Sequence, residues 1–201
     1  MANPRFTFDQ HVDARRMTAA CCSELHKRTV QVSRAYPLTG DEGKPHRRLE
    51  TAIRAVEGAQ WELDRGFHNE YPVEAGEWAR KHAYDGIPAL IVTAAGERPS
   101  GAVFAARMGQ VKPRFTVEEH AEMGLALVGV VAGLSECWRR LVGVYPKSYG
   151  PIQRLTTADK ALRQARAMLE DFAKRQHPGL IPAQFYYPDR ETLQVSYQMP
   201  A

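Results

Sequence analysis

Residues 116–142 read TVEEHAEMGLALVGVVAGLSECWRRLV, and this stretch decides how the rest of the chain is read. Thr116 followed by Glu119 is a capping box, in which each side chain takes up a backbone N–H that the first helical turn leaves without a partner. Glu118, Glu119 and Glu122 precede an apolar run from Met123 to Leu134, and Glu136, Arg139 and Arg140 follow it, an order of charge that suits the helix dipole. The spacing predicts a helix over 116–142, buried on most sides. Ala126, Gly129 and Gly133 fall at i, i+3 and i+7 and form a groove of small residues, while Leu127, Val131, Leu134 and Trp138 form a ridge on another face. Interior glycines cost about 1 kcal/mol each relative to alanine, so close approach of another backbone is the expected compensation. That backbone is expected from a helix over 45–67 or from a second copy of the chain. A buried strand through 127–131 is the alternative, and it conflicts with the capping box and the flanking charges. The apolar run falls short of the roughly 20 residues that cross a bilayer.

Composition agrees with a folded protein. The chain has 201 residues, 44% hydrophobic and 25% charged, enough for a sizeable core and inconsistent with wholesale disorder. No secretory signal is legible at residues 1–10 and no spanning segment elsewhere, so cytoplasmic residence is expected. Cys21, Cys22 and Cys137 are expected as thiols, because adjacent cysteines cannot bridge each other without severe strain. The net charge of +4 is spread thinly over the chain, and no segment forms a basic arm.

Working outward, Val12, Met17, Ala20, Leu25 and Val32 mark a first helix over about 9–35. A Gly- and Pro-punctuated turn follows, and then Leu49, Ile53, Val56, Gln60, Leu63 and Phe67 alternate four-three, the seam of a second helix over 45–67. Together they predict an antiparallel helical hairpin over 1–72, packed on an α+β core over 73–201. Within that core a short helix is expected over 74–84, and a β-hairpin between 88–94 and 102–108. A loop over 143–151 leads to Thr157, read as the cap of a helix that runs to Gln176. Residues 184–187 and 192–197 are read as a second hairpin. The expected class is therefore α+β, helix-dominated, with a small antiparallel sheet.

No motif for chemistry is complete. Cys22 and His26 stand four apart on the first helix, so both could reach one ion, but two ligands do not make a zinc site and no second Cys/His pair completes it. Glu118, Glu119, His120 and Glu122 lack the Glu-x-x-His spacing of carboxylate-bridged metal helices. No metal and no cofactor are expected. The glycines at Gly96 and Gly101 lack the Gly-Lys-Ser/Thr ending of a phosphate loop. If the chain is an enzyme, the titratable groups His68, Glu70, His82 and Asp85 are the place for its site.

Aromatic residues outside the helical seams point instead to recognition. Trp138, Tyr145, Tyr149, Tyr186 and Tyr187 are the expected partner-binding residues. The expected function is that of a non-enzymatic cytoplasmic accessory protein that binds a partner protein, itself a homodimer or other homo-oligomer. Two alternatives stand beside it: a weakly basic nucleic-acid-binding protein acting through Lys112, Arg114, Lys147 and Arg154, and an enzyme with a His/Glu/Asp site within 68–85.

Overall fold

The capping box forms as expected: Thr116 N donates to Glu119 Oε2 at 2.7 Å and Glu119 N to Thr116 Oγ1 at 3.2 Å, and helix α4 runs Val117–Val142. The computed structural model describes residues 6–81, 89–94, 114–179, 181–188 and 193–198. A second capping box, Thr7 with Gln10, opens α1, Phe8–Ala35. Helix α2, Lys44–Glu70, buries Leu49, Ile53, Val56, Leu63 and Phe67 along the expected seam, with Gln60 half-buried. Pro72 begins a short α3, Pro72–Lys81, at the first-turn position where a proline loses no helical hydrogen bond.

Helix α5 spans Gly150–Gln176, so it starts well before the expected cap at Thr157. Pro151 sits in its first turn, while the Thr157 hydroxyl points back along the helix and donates to Gln153 O at 3.0 Å. Threonine has two ways to satisfy its hydroxyl, as a cap or by back-bonding within a helix, and the sequence alone favoured the wrong one.

The four long helices make an antiparallel bundle. Helix α2 packs on α1 and α5, and α4 also packs on α1 and α5, so α2 and α4 lie diagonally across the bundle. One hydrophobic core runs through all four, including Leu25 and Val32 of α1, Leu49 and Val56 of α2, Leu127 and Leu134 of α4, and Leu162 and Leu169 of α5. The 1–72 hairpin therefore shares its core with the later helices.

Two expectations need correction. The structure is helical, and the α+β core with a small sheet is not supported. Strands β1, Ala89–Ala94, and β2, Leu193–Gln198, form a two-stranded antiparallel ribbon in the register Ala89↔Gln198 to Ala94↔Leu193. A lone ribbon is marginal by itself and is too narrow to make a layer. The segment 102–108, expected to pair with 88–94, lies outside the described residues. Residues 184–187 are not a strand either: Ala183–Tyr186 form a single helical turn, α6, begun by Pro182.

The groove on α4 is filled from within the chain, not by α2 or a second copy. A Cβ at Gly129 would collide with Val92 of β1, and one at Gly133 would stand 2.8 Å from Cys21 Sγ of α1. The diagonal position of α2 explains why it cannot reach this face. Helix α4 as a whole, 26 residues, is long and apolar enough to cross a membrane by length and composition, which counting only Met123–Leu134 missed. In the bundle it is mostly buried against protein.

Candidate functional site

At one end of the bundle, α2 finishes at Glu70 and the turn between α4 and α5 carries Tyr145 and Tyr149. Glu70 accepts hydrogen bonds there from two elements: His11 Nε2 of α1 at 3.2 Å and the Tyr145 hydroxyl at 3.0 Å. Rings hold both donors in place. His11 stacks on Phe67 with centroids 5.2 Å apart, Phe6 meets both His11 and Tyr145 edge-on, and Tyr145 stacks on Tyr149 at 4.4 Å. Burial, and next the Glu70 carboxylate, push the Tyr145 and Tyr149 phenols above their ordinary range, so both stay protonated as donors.

Beside this cluster opens a cleft of about 310 Å³ lined by Glu62, Arg65, Gly66, Asn69, Glu70, Tyr149 and Gly150. Small residues make it. A Cβ at Gly150 would collide with the Glu62 carboxylate, and one at Gly66 would stand 2.9 Å from the Tyr149 hydroxyl, so the two glycines let α2 and the start of α5 approach closely. Glu62 is held by Arg154 Nε at 2.5 Å. Arg65, which lines the cleft, also lies over the ring of Trp61, which is 62% exposed.

The opposite end of the bundle is sealed. His120, fully buried, places Nδ1 2.8 Å from the Tyr186 hydroxyl and Nε2 3.2 Å from Gln176 Oε1. A glutamine carbonyl only accepts, so Nε2 carries the proton and Nδ1 accepts from Tyr186. The Gln176 amide in turn donates to the Tyr36 hydroxyl at 3.1 Å. Burial is the main reason the His120 imidazole is pushed down to about 4, which keeps it neutral.

The expected residues are therefore scattered. Of the four groups suggested for catalysis, Glu70 joins the aromatic cluster, His68 is exposed on α2, and His82 and Asp85 lie outside the described residues. Among the expected partner-binding aromatics, Tyr149 lines the cleft and Tyr145 backs it. Trp138 packs partly buried against the core, and Tyr187 is exposed under the Arg166 guanidinium. Tyr186 is withdrawn from any partner, because its ring is fully buried and its hydroxyl is committed to His120. Among the basic candidates, Arg114 pairs with Glu42 at 3.1 Å and Arg154 with Glu62, Lys147 is exposed, and Lys112 lies outside the described residues. Sequence inspection missed His11 and Trp61. The signal for Trp61 was available, since it falls off the 49–67 seam and must face outward.

No family model, curated protein or solved structure matches this chain.

Proposed function

We propose that this chain is a non-catalytic, cytoplasmic accessory protein that binds a partner protein at the α2 face, with Trp61 as the anchor and the Tyr149 cleft beside it. The observation that carries this reading is an exposed tryptophan in contact with Arg65, and Arg65 lines a cleft whose wall also offers two carboxylates. Interfaces draw most of their energy from a few aromatic and arginine side chains set among polar groups, and Trp61, Arg65 and Tyr149 supply that combination. A cleft of this size lies at the lower end for small-molecule sites, which favours a side chain of a partner as its occupant.

Burial argues against catalysis by the chain's own thiols. The Cys22 thiol is pushed up to about 11 and the Cys137 thiol to about 12, chiefly by desolvation, and Cys21 is raised further in the same direction. Reactive thiols need the opposite shift.

Affinity capture with the full chain tests the proposal. Trp61→Ala and Tyr149→Ala should each lose the captured protein at least about tenfold, as interface anchors do, while Tyr187→Ala should retain it. If all three variants capture the partner as well as the parent chain does, this face is not the docking site. Self-association through the same face would appear as a concentration-dependent mass in light scattering that Trp61→Ala abolishes. Binding of generic DNA or RNA that weakens steeply with salt would refute the protein-binding reading outright.

A further inference from the structure

The Cys22/His26 pair on α1 meets a third donor that lies far away in sequence. Glu57 projects from the facing side of α2, and its Oε1 stands 3.3 Å from His26 Nε2. The donor atoms of Cys22, His26 and Glu57 all lie within 4.8 Å of one another, and among the described residues no other set of three such side chains converges this closely. We propose that Cys22, His26 and Glu57 bind one zinc-type divalent ion between α1 and α2, with the fourth position open to water.

Geometry supports this assignment. Zinc bonds of about 2.0–2.3 Å put tetrahedral ligands about 3.3–3.6 Å apart, and the His26–Glu57 separation already matches that edge. Closing the remaining distance to sulfur takes a shift of about 1 Å, within reach of rotamer changes. The two side chains that must move are 58% and 49% exposed, so their mutual ion pair contributes little and resists little. Cys22 sits beneath them, buried but at the edge of the core, whereas Cys21 and Cys137 are sealed inside it. One thiolate, one imidazole and one carboxylate form a borderline donor set that suits zinc better than calcium or magnesium, which want oxygen alone. On binding, the metal displaces the Cys22 S–H proton, which passes to solvent, and the sulfur bonds as thiolate. The exposed side of the cluster leaves room for water in the fourth position.

The full-length chain, stripped with a chelator that is then removed, is titrated with cobalt(II) and afterwards with zinc. The expected result is one cobalt per chain, a thiolate-to-cobalt charge-transfer band with tetrahedral d–d absorbance, and loss of both when zinc displaces cobalt. Cys22→Ser should abolish the charge-transfer band. His26→Ala and Glu57→Gln, at half-exposed positions the fold tolerates, should each weaken binding at least about tenfold, since even loss of an outer-shell partner costs metal sites about 10–100-fold. The proposal is overturned if no thiolate band appears, or if stoichiometric binding persists unchanged in His26→Ala and Glu57→Gln. Should Cys22→Ser fail to fold, those two variants still decide.

Discussion

The contact between β1 and α4 can be tested by one substitution made in two backgrounds. At Gly129 an added Cβ would overlap one methyl of Val92 and come within 3.1 Å of its Cβ and 3.2 Å of its second methyl. The obstacle is thus the whole branched side chain of a strand residue, not the end of a flexible one, and β-branched side chains turn reluctantly. Overfilling a packed contact costs about 1–3 kcal/mol, while replacing an interior helical glycine by alanine returns about 1 kcal/mol of propensity. Gly129→Ala should therefore destabilise the parent chain by about 0–2 kcal/mol. In a Val92→Ala background both methyls are gone and only the alanine Cβ, 3.1 Å away, remains, so the same Gly129→Ala change should cost about 1 kcal/mol less than in the parent chain and come close to neutral. Urea unfolding of the four proteins gives the coupling directly, as a double-mutant cycle. If Gly129→Ala stabilises the protein equally in both backgrounds, Val92 does not occupy this groove and the placement of the ribbon on α4 is wrong.

Stability should also depend on pH through His120. Its folded-state value near 4 lies below the ordinary 6.5, so the folded protein binds fewer protons, and the stability present above about pH 6.5 should be lost as pH falls towards 4, by up to about 3 kcal/mol. The difference between the unfolding profiles of the parent chain and His120→Asn isolates that contribution, and parallel profiles would rule it out. Cys21 and Cys137, sealed in the core, should resist a disulfide reagent in the native protein at pH 8 and react fully in denaturant, as their burial and raised values require. Gly150→Ala should cost less than about 1 kcal/mol, because its new Cβ meets only the end of the Glu62 side chain, whose ion pair with Arg154 is partly exposed. A loss as large as that of an overfilled core would mean that α2 and α5 cannot separate at this point.

Elements whose signals are local were legible in the sequence. Thr116 with Glu119 fixed the start of α4, and the four-three seam from Leu49 to Phe67 fixed α2, since capping and burial of one face are short-range properties. The errors arose where one local pattern serves two structures. Gln184–Tyr187 is aromatic and β-prone, yet Pro182 starts a helical turn there because Tyr186 gains a buried hydrogen bond with His120, a partner distant in sequence. The candidate sites were less legible still, for the same reason. Glu70 was recognisable as a titratable group, but His11 reaches it from α1 and Tyr145 from the turn between α4 and α5. Cys22 and His26 were recognisable as a pair, and their third neighbour, Glu57, is supplied by the packing of α2 on α1.

Opposite ends of the bundle use the same residue types to contrary effect, and the contrast indicates where a partner can dock. At the end formed by the α1 C-terminus and the α4 N-terminus, His120, Tyr36, Gln176 and Tyr186 hydrogen-bond one another in a site closed by Phe115 and His177. Such a network specifies how the helices meet, and opening it would leave buried polar groups without partners at about 1–3 kcal/mol each. Nothing can bind there without that loss. At the other end, Glu70 also takes a histidine and a tyrosine, but the turn into α5 at Tyr149 and Gly150 leaves the cleft beside it open to solvent, and Arg65 in its wall touches the exposed Trp61. A partner arriving at that end covers an exposed indole and finds polar groups already within reach, while every hydrogen bond of the Glu70 cluster stays intact. Docking at the open end therefore gains apolar burial without breaking the fold's own polar contacts, and for this reason Trp61 and Tyr149, rather than Tyr186 or Tyr187, are the residues on which partner binding should depend.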